Sequence, residues 1–469
     1  MALPMEKIKL LDKLLQEKKV AFEYQKRRHD DWNENYLLYR GQVSLNRLTQ
    51  RQEIVIPLMK ETIRTILSRI DDQPDVAFEN RSDNQDSEIL VNEMFEQFKI
   101  ENHVGLIDRT DKKQVLLYGR STKKLNWVKG GIGLELKDPF DVLVDPKTVP
   151  YDIDTARFIV EANIQKPLAE VLVNEKYNKD ARNNLRARYS NPENQTTGEL
   201  IKPANTEQLE ARNERLDDLG VDMLEGVESA DIMLALDQYF TYIWDKKQKE
   251  YVKYVVLVAE DSEILTCKTL KEVLGVDEFW PFDSWADDLE ATDYYSDSAG
   301  DVLRQPNKVA NAWLSQEIEN RTLANFGMNF YDSTVEGFEP QSFSPRPFGW
   351  YPLPGKPSEV FERVNIQPFP GNLKAIEFVI GLAEKATASS AVEKGTVSAE
   401  KRTLGEIEIA VGKAQERINS MQAFYKKSWE RIARKWLAIM EANTSEKSKV
   451  TLYKKGFDGV MKSQKVSRS

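Results

Sequence analysis

Apolar residues recur at helical spacing through the first forty positions. Ile8, Leu11, Leu14, Leu15 and Phe22 stand among lysines and glutamates, which predicts one long amphipathic helix from about Glu6 to Tyr39, broken by Gly41. Ile56, Met59, Ile63, Ile66, Leu67 and Ile70 predict a second helix over Ile54–Ile70, ended by Asp71-Asp72-Gln73-Pro74. A third is predicted from Asp86 towards Tyr118, with caps among Asp83–Asp86 and Gly119 as its stop. The pattern then turns to strands. Thr122–Val128 and Leu134–Val144 read as a pair about the turn Lys129-Gly130-Gly131-Ile132-Gly133; the second closes on Asp145-Pro146, and Arg157–Gln165 is a further strand.

From Tyr177 to Glu225 the chain turns polar, which predicts an exposed, mobile insertion with one charged helix at Thr206–Leu216. Ile232–Trp244 and Glu250–Val258 form a hairpin pattern across Asp245–Lys249. Asp301–Phe326 is predicted as a helix that tolerates Pro306 near its start. Gly327–Gly371 is dense in Pro, Phe, Gly and Tyr, with short β-like pieces. Asn372–Lys385 is helical again, and Thr387–Ser390 and Gly395-Thr396 interrupt it. Ser398–Ala442 is a very long helical pattern carrying Gly405 and Gly412 early and Trp429 and Trp436 late; from Asn443 the chain is short and basic. No internal repeat is found. The fold class expected is α+β, mainly helical.

The 469 residues are 41% hydrophobic and 30% charged, enough for a sizeable core in two to four modules. A net charge of −10 argues against a general nucleic-acid coat, because phosphates are neutralised by Lys and Arg, so any DNA contact is expected to be local or weak. Cys267 is the only cysteine, which excludes an intrachain disulfide and fits a reducing compartment. No apolar run approaches ~18 residues, and Met1–Lys9 lacks the apolar core of a secretory signal, so a soluble, cytoplasmic chain is expected, with no membrane partner.

Candidate chemistry is sparse. His29 and His103 with one cysteine make no metal-ligand cluster, and acidic pairs such as Asp71-Asp72 or Asp287-Asp288 read as solvated surface. Gly405 and Gly412-Lys413 are too far apart for a phosphate-binding loop, and Ala414 stands where Ser or Thr would ligate Mg²⁺. No Gly-x-Ser-x-Gly elbow occurs. No catalytic residue, metal or cofactor is therefore expected; the chain reads as an assembly component, although Glu, Lys and Tyr can build sites that leave no motif.

The order of these elements resembles the portal proteins, or head-to-tail connectors, of tailed bacteriophages. Asp301–Asn311 is similar to the family's entry to a first stem helix. Trp32, Tyr36, Tyr39, Arg40 and Gly41 resemble its early aromatic-Tyr-Gly pattern, and Ile54-Val55-Ile56-Pro57 its apolar entry to a wing helix. Asp138–Pro146 followed by Arg157-Phe158-Ile159 resembles a buried strand that ends in Asp-Pro. The resemblance implies an α/β wing over residues 1–300 (with the insertion at about 177–225), a first stem helix at 301–326 and a small clip at 327–371. It further implies a second stem helix at 372–385, a tunnel loop at 386–398, a long wing helix at 399–442 and a short crown or tail at 443–469. That crown is minimal, or the chain lacks its distal end.

The resemblance also implies a function and partners. Copies of the chain are expected to close into a homo-oligomeric ring, a dodecamer, at a capsid vertex of the virion, assembled in the host cytoplasm. Double-stranded DNA would pass its channel during packaging and ejection. The terminase large subunit, which hydrolyses the ATP, then a head-tail adaptor, would dock on it, and major capsid and scaffolding proteins would surround it. The alternatives are another phage structural or adaptor protein, or an enzyme with an unmarked site.

Within that frame Ala399–Ala442 would span on the order of 60 Å, a rod that one domain rarely covers alone, so ring neighbours are expected to shelter it. Gly405 and Gly412 are hinge candidates, where a bend or unwound turn would let the loop shift. Lys385, Lys394, Lys401 and Arg402 stand beside Glu384, Glu393 and Glu400; they read either as surface ion pairs or as sparse phosphate contacts in an acidic channel. Phe343, Phe348, Trp350 and Tyr351 are candidates for clip packing or partner docking.

Overall fold

The computed structural model describes residues 4–42, 55–70, 75–79, 85–128, 131–189, 233–245, 249–326, 328–331, 334, 356, 361–364, 372–387, 404–444, 449–455 and 461–467. Helix and antiparallel sheet are mixed along the chain, an α+β fold. Helices α1 (Lys7–Lys26), α2 (His29–Arg40), α3 (Leu58–Arg69), α4 (Gln85–Glu101) and α5 (Val104–Tyr118) come first. Strands β1 (Ser121–Val128), β2 (Gly131–Lys137), β3 (Val142–Val144) and β4 (Phe158–Pro167) follow. Then come α6 (Leu168–Val173), α7 (Lys179–Tyr189), β5 (Met233–Asp245), β6 (Glu250–Ala259), β7 (Glu263–Thr269), α8 (Leu270–Leu274) and β8 (Phe282–Trp285). The last third holds α9 (Ala299–Phe326), β9 (Met328–Tyr331), β10 (Phe361–Val364), α10 (Asn372–Ala386), α11 (Leu404–Asn443), β11 (Lys449–Lys455) and β12 (Met461–Ser467).

A five-stranded sheet in the order β3-β4-β5-β6-β7 is buried on both faces. Alternation sorts its side chains: Phe158, Val160, Tyr239, Tyr254 and Val256 meet Leu10, Leu14 and Phe22 of α1, whereas Ile159, Phe240 and Val255 enter the main core. The smaller sheet β2-β1-β8 packs beneath α5 and α11 and completes that core. Among the described residues no helix is long and apolar enough to cross a membrane.

Three expected elements divide, each for a local reason. The first helix breaks at Arg27 and Arg28, where neither glycine nor proline marks a stop; Arg28 turns into the core and pairs with Asp301 at 2.8 Å and Asp297 at 3.0 Å. Gly41 then ends α2 in the left-handed region, as its position predicts. The helix expected from Asp86 to Tyr118 breaks at His103, which has φ 51°. Asn102 stabilises that break: it accepts from the Leu134 N–H at 2.7 Å and donates to the Ile132 and Phe98 carbonyls, so it docks β2 on the break. The strand expected over Leu134–Val144 divides at Asp138-Pro139, since proline has no N–H for the ladder; β2 stays with β1, and β3 joins β4 in the other sheet.

The second helix starts four residues later than its pattern suggests, with Pro57 at the N-cap, because the residue before a proline disfavours the helical region. Within the stretch assigned to the polar insertion, 179–189 forms α7, and its Ala181, Leu185 and Tyr189 are buried with Leu234 and Leu265. From residue 190 on, that insertion, including the helix expected at Thr206–Leu216, lies outside the described residues. The tail after Asn443, read only as short and basic, contains the ribbon β11-β12.

The Asp-Pro strand end has a visible cause. Asp145 is fully buried and takes two hydrogen bonds from Arg157, at 2.5 and 2.7 Å, and one from the Lys147 N–H at 3.1 Å. Burial pushes its carboxyl up, but these donors outweigh that and hold it below the usual carboxylate range. A depressed native pKa contributes stability above the unfolded value, and that stability is lost as pH falls through the native one. Arg157→Met is therefore expected to melt well below wild type near pH 7, with the gap narrowing towards about pH 3. A gap that is constant across chemical-denaturation curves at both pH values would contradict this origin.

Candidate functional site

The elements that leave the body of the molecule are α9 and α10, and α9 is anchored at its start by one carboxylate. Ser298 and Asp301 cap the helix reciprocally: the Asp301 N–H donates to Ser298 Oγ at 3.0 Å, and the Ser298 N–H to Asp301 Oδ2 at 2.8 Å. Asp301 also accepts from Arg28 at 2.8 Å, Asn35 at 3.0 Å and Arg304 at 3.0 Å. Gly119 permits the close fit here. It has φ +79°, and a Cβ would stand 2.0 Å from the Ser296 carbonyl oxygen.

One turn further, the asparagines of the Asn307–Asn311 stretch act as a substitute backbone. Asn307 accepts from the Met59 N–H at 3.1 Å and donates to the Ile56 carbonyl at 3.1 Å, and Asn311 accepts from the Ile56 N–H at 2.8 Å. Both amides are buried. They satisfy the groups around Pro57 where no strand or helix does. Asn307→Leu with Asn311→Leu strands those groups, at about 1–3 kcal/mol for each one left buried. The expected result is faster amide exchange at Ile56 and Met59 and a lower urea midpoint; unchanged exchange there would contradict the role.

Beyond Asn311 the burial changes. Leu303 and Ala310 are buried in the body, whereas the second half of α9 is covered mainly by α10, which turns Ile376 and Ala383 inward. The two helices of this arm leave large apolar groups exposed, not all on one side: Phe378 is 67% exposed, Leu382 48%, Leu373 47% and Ile318 40%. Phe378 and Leu382 are one turn apart on α10, so they share a face. Glu317 is buried on the same arm; Arg321 donates to one oxygen at 2.6 Å, and the other has no donor among the described residues.

The long helix α11 behaves differently from expectation. Its later half is covered by its own chain: Ile418, Met421, Tyr425, Trp429, Ile432, Trp436 and Ile439 form one buried stripe. Trp436 packs against Phe95 and Phe98 of α4, with ring centroids 5.1 and 5.9 Å apart. Just before this stripe Gln415 and Glu416 are exposed.

Polar side chains lock the buried half. Asp283 of β8 takes Arg431 and Ser428, both at 2.5 Å, and Lys435 reaches the Phe282 carbonyl at 2.6 Å and Asp154 at 2.7 Å. The Tyr425 hydroxyl donates to Asp108, which also pairs with Lys112 at 2.7 Å. Next to them Lys123 pairs with Asp111 at 2.5 Å, both fully buried, and Trp285 donates to the same carboxylate at 2.9 Å. Burial raises the Asp108 carboxyl above its ordinary value, because its donors only partly offset desolvation. Removing one partner of such a network leaves a buried charge, so its role is to fix geometry.

The sequence-based candidates fall unevenly on this frame. Lys385 is exposed in the last turn of α10. Lys394, Lys401 and Arg402, and Phe343, Phe348, Trp350 and Tyr351, lie outside the described residues. Gly405 and Gly412, the hinge candidates for a bend or an unwound turn, lie inside α11, which runs helical through both. Asp287 is not plain solvated surface: burial and the adjacent Asp288 push its carboxyl up to about 6. Among the described residues no group of three or more His, Cys, Asp and Glu is placed to hold a metal ion.

The exposed arm was missed, yet it had a signal. Leu373, Ile376, Phe378, Val379, Ile380 and Leu382 run round the whole helix, more apolar surface than one buried face needs. No protein-family model matches the chain, and no curated protein matches it.

Proposed function

We propose that this chain is the portal subunit of a tailed bacteriophage, a ring component through which double-stranded DNA is packaged and ejected. The observation that carries the reading is the arm of α9 and α10, fixed to the body at Asp301, Asn307 and Asn311 and presenting Phe378, Leu382, Leu373 and Ile318 outward. The exposed pair Phe378 and Leu382, one turn apart on α10, is best covered by another copy, and copies related by rotation make heterologous contacts that close into a ring. In this reading α9 and α10 are the stem helices, the segment between them is the clip, and 386–398 is the tunnel loop.

The chain's own task is geometric. The ring holds a channel, the buried polar network keeps α11 fixed on the wing, and Lys385 with the lysines of the loop touches phosphates sparsely enough for DNA to slide. The terminase motor supplies the ATP hydrolysis and docks at the clip end, followed by the head-tail adaptor; capsid and scaffolding proteins surround the ring.

Native mass spectrometry of the 54.0 kDa chain tests the assembly, and a closed homo-oligomer, a dodecamer, is the expected species. Phe378→Ser with Leu382→Ser is expected to leave single subunits with unchanged circular dichroism. A wild-type chain that stays solitary, or a variant that assembles equally well, would overturn the reading. Lys394→Glu with Lys401→Glu is expected to assemble normally but lose DNA retention in a packaging assay; full retention would remove both residues from the channel.

A further inference from the structure

Two arginines of this chain grip a carboxylate by the same edge of the guanidinium. Arg157 donates to Asp145 from Nε at 2.5 Å and from Nη2 at 2.7 Å, and Arg431 to Asp283 from Nε at 2.5 Å and from Nη2 at 3.4 Å. Arg120, between α5 and β1, is deeper than either, at 4% exposure, yet no carboxylate among the described residues pairs with it. Its Nη1 reaches Ser284 Oγ and its Nη2 reaches Ser296 Oγ, each at 3.4 Å, and its buried Nε has no acceptor among the described residues. The Tyr294 ring lies against the guanidinium at 4.0 Å.

The acids nearest along the chain to these serines are committed elsewhere. Asp283, beside Ser284, takes Arg431 and Ser428, and Asp297, beside Ser296, is exposed and pairs with Arg28 at 3.0 Å. The hydroxyl proton of Ser296 also has no acceptor among the described residues. A charge taken out of water costs stability unless an opposite charge comes with it. One aromatic face and two stretched bonds to neutral oxygens offset only part of that cost. Burial draws the guanidinium pKa down from its ordinary value, but an arginine stays charged all the same. A second copy of the chain cannot supply the missing acid, because Ser284, Tyr294 and Ser296 around the group are themselves buried.

We infer that the Nε–Nη2 edge of Arg120, together with the Ser296 hydroxyl, binds a small monovalent anion of the halide class inside the subunit. Asp145 and Asp283 mark what that edge holds wherever an acid is in reach. One negative charge balances the one guanidinium, and the neutral hydroxyls of Ser284, Ser296 and Tyr294 leave no second cation for a divalent ion. The anion ties the start of β1 to the loop 294–298, which leads into the Ser298–Asp301 cap of α9. It thereby secures the base of the arm. The inference uses nothing of the ring reading and stands or falls apart from it.

The test is urea denaturation of the full-length chain in sodium chloride and in sodium gluconate of equal ionic strength, gluconate being too large for an enclosed site. Wild type is expected to show a higher urea midpoint in chloride, rising with chloride concentration as ligand binding to the folded state requires, and slower amide exchange over 294–298. Arg120→Met, which keeps the length of the side chain without its charge, is expected to lose both differences. Ser296→Ala is expected to raise the chloride concentration for half the effect by roughly tenfold or more, because a hydrogen bond to a charged group is lost. Crystals grown in sodium bromide are expected to show an anomalous peak against Arg120 Nε and Nη2, which decides the matter if a variant fails to fold. Equal wild-type midpoints in the two salts, a chloride difference that Arg120→Met retains, or water in place of bromide would overturn the inference. A bromide peak without the midpoint difference would mark an adventitious ion only and overturn it as well.

Discussion

Apolar helical surface has to be covered, and this chain covers only part of its own. The later half of α11 is sealed by Trp429 and Trp436 against α4 and the small sheet, and the start of α9 is sealed through Leu303 and Ala310. Among the described residues, Phe378 and Leu382 of the α9–α10 arm have no such cover. Burying side chains of this size contributes about 1.5–3 kcal/mol each, so leaving several of them in water disfavours the isolated subunit. In the proposed ring a repeated copy would meet that demand without a new sequence, because each arm would meet the same neighbour surface.

The polar interior makes that demand directional. Asp301 gathers Ser298, Arg28, Asn35 and Arg304 at the base of the arm, and Asn307 and Asn311 tie it to the α3 entry. Asp283, Asp108 and Asp154 hold α11 through Arg431, Tyr425 and Lys435. Buried ionic and amide groups add little net stability compared with apolar packing, yet each tolerates few alternative arrangements. Their effect is to fix the angle at which the arm leaves the body, and the proposed ring would depend on that angle.

Much of this was legible in the sequence, in proportion to how local the cause is. The hairpin of β5 and β6, the helices at 299–326 and 372–386 and the stop at Gly41 followed from periodicity and turn chemistry. The breaks at Arg27 and His103 did not, since they depend on Asp297, Asp301 and β2, partners distant along the chain. Asp145-Pro146 and Arg157 were each visible as residues, whereas their bidentate pairing required the fold. The long helix misled for the opposite reason. Its length suggested that it lacked cover, but the Trp436 contacts come from Phe95 and Phe98, more than three hundred positions earlier. The exposed side of the arm went unread, although an apolar circumference that no single core face requires marked it.

Closure round a central hole is the claim on which the account stands. End-on class averages of the purified chain by electron microscopy measure it most directly. The account predicts one rotationally symmetric ring with an open centre, the arms of successive copies packed side by side. Particles the size of one subunit at every concentration, with no central opening, would contradict it.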